Sequence, residues 1–157
     1  MAKSNVKLDY KELEKLKGQI EQFGESKMVD QFLESCAKEL AARLLAKVIK
    51  RTPVGQYEVG SGKVGGTLRR GWTGQKTANA TAYANSLTVN KVGGDYVINI
   101  INPVEYASYV EFGHRTRNHK GWVEGHFMLT ISEDEIRRSA PNILEKKVKN
   151  YLERCFK

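Results

Sequence analysis

A chain of 157 residues, 40% hydrophobic and 28% charged, can bury one real core and is short for two domains. No apolar run approaches membrane-spanning length, and the first twenty residues carry no signal-peptide apolar region. The chain is therefore expected to be made in the cytosol and to stay there, or to leave inside something larger, while its net charge of +8 favours acidic partners, nucleic acid included.

The opening segment reads as a helix. Asp9 is a good N-cap, Glu12 completes a capping box, and Gly24 is a natural stop. Leu13, Leu16, Ile20 and Phe23 form a narrow seam on one face, so residues 1–25 are expected as a helical extension.

The second helix, over residues 28–49, is stronger. Its apolar residues come in adjacent pairs every four positions, from Met28–Val29 through Phe32–Leu33 and Leu44–Leu45 to Val48–Ile49. A step of four overshoots one turn by about 40°, so the stripe winds round the helix. Only a strongly twisted sheet, or different partners at the two ends, covers such a stripe. This helix is expected to be the spine of the fold and a contact between subunits. Pro53 ends it, because the residue before a proline avoids the helical region. The two cysteines, Cys36 and Cys155, each fall on the apolar stripe of an expected helix, as small hydrophobes and not as a disulfide framework.

Five glycines between Pro53 and Gly66 mark residues 54–66 as a mobile loop. A phosphate-cradling loop is excluded: no lysine-serine/threonine pair follows, and no strand precedes. Strands are expected over residues 68–73, 83–90 and 96–102, the last two joined through "KVGGD" as a hairpin, and over 127–131. Ser132 and Glu135 then make a capping box for a final helix, kinked or broken near Pro141 with a restart near Ser139. The sum is α+β in a single domain, 1–157. It has two N-terminal helices, one long, a small antiparallel sheet of about four strands, and a C-terminal helix.

One stretch, "VEYASYVEFGHRTRNHKGW" (104–122), changes character at Gly113. Before it the chain is aromatic and compact, with Tyr106, Ala107, Tyr109 and Val110 wrapping a short helical turn that Glu111–Phe112–Gly113 closes. After it come His114, Arg115, Arg117, His119 and Lys120, so 113–122 is expected as a second mobile loop, anchored in the core by the aromatic turn. The three histidines, His114, His119 and His126, lie close in sequence, but their spacing fits no familiar zinc ligand set, and solvated loop histidines are the better reading. Glu111, just before the glycine, lacks a nucleophile or a second acid for general-base work. It is expected to accept backbone N–H bonds and pin the turn. No serine sits in a nucleophile elbow and neither cysteine has a histidine near it in sequence. No catalytic, cofactor-binding or metal-binding residue is assigned. Arg69, Arg70, Lys76 and the 114–120 run could touch phosphates, yet lysines interleaved with glutamates read as an ordinary solvated surface, and no nucleic-acid-binding motif occurs.

Three pieces in order carry a resemblance: "AKVIKRTPVG" (46–55), "GGTLRRGW" (65–72) and "GGDYVINIINPVEYASYVEFGHRTR" (93–117). Together they resemble the tailed-phage neck and tail-completion family, the gene-product-ten-like proteins of lambdoid phages. Gly113–His114 stands where the family carries Gly-Thr, and Gly125–His126 where it carries Arg-Pro before a phenylalanine. The resemblance implies a structural virion protein without catalysis or cofactor, in the neck or tail and assembled in the host cytoplasm. It implies a ring of copies, a hexamer at the tail side, between head-closure or portal connector proteins and a tail-terminator or tail-tube protein. DNA would pass only transiently, no membrane would be involved, and the particle could be a siphophage, a contractile-tailed phage or a defective prophage. Under this reading His114, Arg115, Arg117, His119, Lys120, Arg69 and Arg70 are interaction residues. Tyr106, Ala107, Tyr109, Glu111 and Gly113 form the structural turn. The alternative is a nucleic-acid-binding accessory protein using its basic surface.

Overall fold

The computed structural model describes residues 26–75 and 79–155, together with residues 3, 4, 11, 14, 15, 17 and 18. The expected opening helix is only glimpsed: Lys11, Glu14, Lys15, Lys17 and Gly18 are helical, while its apolar seam and both its caps lie outside the described residues, as does Lys76. The architecture is α+β, with a long helix toward the N-terminus, small antiparallel ladders and a long C-terminal helix.

Helix α1 (Ser26–Arg51) is the spine. Its winding stripe is buried from Val29 through Leu33, Leu40 and Leu44 to Val48, although Met28 at its start is exposed. As the rotation requires, several partners cover it, chiefly the short helix Ala80–Ser86 and the last helix, Met128–Cys155. That last helix runs antiparallel to α1. Phe32 stacks on Tyr151 with ring centroids 4.3 Å apart, Glu39 pairs with Lys147 at 2.8 Å, and Lys47 and Arg51 meet Glu135 at 2.8 and 2.7 Å. Before Pro53 the chain is tied off by Thr52. Its buried hydroxyl donates to the Val48 carbonyl and accepts from the Trp72 indole N–H, at 2.6 and 2.8 Å.

The middle third differs most from expectation. Residues 68–73 do not form a strand: helix α2 (Thr67–Gly71) follows Gly66, whose φ is +90°. Leu68 and Trp72, four apart, share a buried face in either periodicity, so the pattern could not choose between them. Residues 83–90 are likewise not one strand. Helix α3 (Ala80–Ser86) is capped by Asn79, whose Oδ1 accepts the Ala82 N–H at 3.0 Å, and fully buried Ala84 joins the core where α3 lies against α1. The hairpin survives in shorter form as β2 (Asn90–Val92) and β3 (Asp95–Val97). Its turn has two residues and not five: Gly93 and Gly94 have φ of +57° and +91°, the requirement of a type I′ turn. The Asp30 carboxylate on α1 clasps this hairpin by accepting from the Tyr96 hydroxyl and from Lys91. With β1 (Lys3–Ser4) on β4 (Ile100–Ile101), and β5 (Gly113–Arg115) on β6 (Trp122–Glu124), the strands among the described residues form three separate two-stranded ladders in place of one sheet.

No strand occupies residues 127–131; helix α5 (Met128–Cys155) already begins there. Ser132 is therefore inside the helix and caps nothing. Its buried hydroxyl donates to the Met128 carbonyl and accepts from Arg51, both at 2.6 Å, while Glu135 turns to α1. The helix runs unbroken through Pro141, with no restart near Ser139. Pro141 and Arg137, whose carbonyl loses its partner at the proline, both lie on the exposed side. Of the free cysteines Cys36 is buried, and desolvation pushes its thiol up to about 11; Cys155 is exposed and not on the buried stripe.

Candidate functional site

Helix α4 (Ala107–Phe112) reverses the expected arrangement of its aromatic residues. Its short turns bury Ala107 and Glu111, four apart, and send Tyr106, Tyr109 and Phe112 outward, 46%, 58% and 59% exposed. The rings do not anchor the turn in the core. The carboxylate does.

Glu111 pins the turn, as expected, and its target is the start of α5. Oε2 accepts the Leu129 N–H at 2.9 Å, while Oε1 accepts the Thr130 N–H at 2.9 Å and the Thr130 hydroxyl at 2.7 Å. The first turn of a helix has N–H groups without intrahelical acceptors and a positive dipole end, and a buried carboxylate answers both. Two backbone bonds close the same junction, from His126 N–H to the Val110 carbonyl at 2.8 Å and from Phe127 N–H to the Glu111 carbonyl at 3.0 Å. Glycine is required on each side of this crossing. Gly113 has φ of +86°, and a Cβ there would strike the Val123 carbonyl; one at Gly125 would strike the carbonyl of Glu111.

Beyond Gly113 the expected loop 113–122 is a hairpin, with His114 opposite Val123 and Arg115 opposite Trp122 in register. Its tip is held by its own polar groups. Thr116 N–H donates to the Gly121 carbonyl, Gly121 N–H to the Thr116 hydroxyl, and Lys120 N–H to Asn118 Oδ1, at 3.0, 3.0 and 3.1 Å. His114 is half-buried and meets the Tyr109 ring edge-on at 6.0 Å. Arg115, Arg117, His119 and Lys120 are exposed, and none forms an ion pair among the described residues. His119 sits at the tip and His126 beyond β6; among the described residues no cluster of His, Cys, Asp or Glu is arranged to hold a metal ion.

Arg69 and Arg70 hold the two ends of the glycine-rich loop. Arg69 donates through Nε and Nη2 to the Thr52 carbonyl, at 3.2 and 2.7 Å, and Arg70 reaches the Gly65 carbonyl at 3.2 Å. Residues 53–66 form no helix or strand, and they lie beside α4 and the hairpin. Between them runs a groove of about 300 Å³, whose apolar lining includes Val54, Tyr57, Val64, Tyr106, Tyr109 and Val123. The tertiary structure thus brings the two segments that the sequence marks as loops to one surface. Sequence reasoning missed Trp122, which is 55% exposed, along with the valines. The available signal was apolar residues stranded among glycines and cations with no periodicity to bury them.

A family model named HK97-gp10_like, described as "Bacteriophage HK97-gp10, putative tail-component", matches residues 14–113. The match runs from the opening segment to the glycine that begins β5, leaving most of the β5–β6 hairpin and all of α5 beyond it. Comparison with curated proteins and with solved structures returns no significant match. With more than half of its residues covered, the chain belongs to the HK97-gp10-like family of bacteriophage tail components.

Proposed function

We propose that this protein is a structural component of the phage neck or tail-completion apparatus. It forms a ring, sixfold at the tail side, between the head or portal connector and the tail tube, and it is needed to complete the tail or to join it to the head. Its partners are copies of itself, a head-closure or portal-side connector protein, and a tail-terminator or tail-tube protein. DNA only passes through the channel. The role makes and breaks no covalent bond and takes no cofactor; the protein resides in the virion after assembly in the host cytoplasm.

One observation supports this reading above others: a member of a tail-component family keeps Tyr106, Tyr109, Phe112 and Trp122 exposed although its core is filled elsewhere. Aromatic side chains left exposed on a folded chain suit contact with another macromolecule, where such residues are enriched. Deleting the gene and imaging the particles tests the proposal. Heads and tails left unjoined, or tails of faulty length, are expected; fully formed, infectious virions without this polypeptide would overturn it.

A further inference from the structure

The groove beside α4 has walls of one chemistry and a neighbourhood of another. Val54, Tyr57, Val64, Tyr106, Tyr109 and Val123 contribute apolar surface, and Glu124 is the one carboxylate among its lining residues. Its volume of about 300 Å³ lies at the lower limit of small-molecule pockets, enough for one or two anchoring side chains. The hairpin that walls one side carries Arg115 at the end of β5 and Arg117 and Lys120 at its tip, beyond strands of three residues, roughly 10 Å long. Those charges therefore act on any occupant within about one Debye length. Five carboxylates elsewhere, Asp30, Glu39, Glu133, Asp134 and Glu135, each hold a lysine or arginine, whereas Arg115, Arg117 and Lys120 form no ion pair among the described residues. These three cations thus set positive charge beside an apolar groove.

We infer that the groove between the glycine-rich loop and the α4–hairpin unit docks an acidic segment of a partner protein, anchored by an apolar side chain and oriented by Arg115, Arg117 and Lys120. A second copy of this chain is a poor occupant, since it brings the same net charge of +8. Nucleic acid would have to stack on Tyr57, Tyr106 and Tyr109, whereas Val54, Val64 and Val123 suit an apolar side chain, and a single-stranded oligonucleotide separates the two occupants. The inference rests on the tail-component reading only in taking the partner to be another virion protein.

Full-length protein labelled at its valine methyls and titrated with a synthetic peptide alternating glutamate with leucine tests this. The controls are the same peptide with glutamine for glutamate, and a single-stranded thymidine oligonucleotide. Expected are shifts at Val54, Val64 and Val123 and none at exposed Val59 and Val92, with the glutamine peptide binding about tenfold more weakly. The Arg117→Glu/Lys120→Glu variant, changed only at the exposed tip, should lose about tenfold, and Lys146→Glu/Lys149→Glu on the exposed side of α5 should lose nothing. Equal binding of the two peptides, shifts away from the groove, tighter binding of the oligonucleotide at these methyls, or shifts that grow with protein concentration alone would each overturn the inference. Unjoined particles on gene deletion without a groove response would sink the docking site and leave the tail role standing; a groove response with normal particles would do the reverse.

Discussion

At the scale of single residues, Glu111 joins the turn to the last helix. Glu111→Ala would strand the Leu129 and Thr130 amides in a largely buried junction, and the expected loss is about 1–3 kcal/mol, read as a lower denaturation midpoint at unchanged slope. Glu111→Gln keeps one acceptor oxygen but turns its NH2 towards the other N–H donor, so it should recover only part of that loss. Other carboxylates govern the response to acid. Lys147 beside Glu39, and Lys47 beside Glu135, hold these carboxyls below the usual glutamate value of 4.5. A depressed folded value means that the unfolded chain takes up protons first. The α1–α5 pairs therefore contribute their stability fully above the ordinary value and lose it as pH falls through the lower folded values. Urea unfolding between pH 7 and pH 3 should show that decline, and Glu39→Gln should flatten it.

Among the elements, α5 carries an internal defect that its packing overrides. A proline inside a helix costs about 3 kcal/mol, and removing one returns up to about 1 kcal/mol of freedom to the unfolded chain. Pro141→Ala, at an exposed position, should therefore raise stability by roughly 2 kcal/mol, measurable as a shift in the unfolding midpoint. The same helix shows where pattern reading stops. Its apolar face was legible, but its start was not, because the cap comes from Glu111, far back in the chain, and not from Ser132 close at hand. Alternation alone suggested strands at 68–73 and 83–90. Contact with α1 made both helical, Ala84 being small enough to let α3 approach the spine. The β2–β3 hairpin was recognisable because Gly93–Gly94 is a local signal, and local signals survive folding.

For the molecule as a whole, the described core is a pair of antiparallel long helices with short elements packed against them, and the exposed aromatic surface lies by the C-terminal end of α1 and the start of α5. Hydrogen exchange should grade accordingly: amides at Leu44, Leu45 and Val48 exchange last, and those of residues 53–66 exchange first in the free protein. In assembled particles the loop amides should become protected if the groove is occupied; equally fast exchange in both states would count against an assembly role for this loop. Sequence alone determined the spine helix, its stop at Pro53, the α+β class, the pinning role of Glu111 and the resemblance to a tail-component family, because periodicity, punctuation and motif order are written in neighbouring residues. Only the tertiary structure decided which way the aromatic rings of α4 face, where α5 begins, and that the glycine-rich loop and the cationic hairpin share one groove. Those outcomes depend on contacts between residues far apart in the chain, whose energies no local pattern contains.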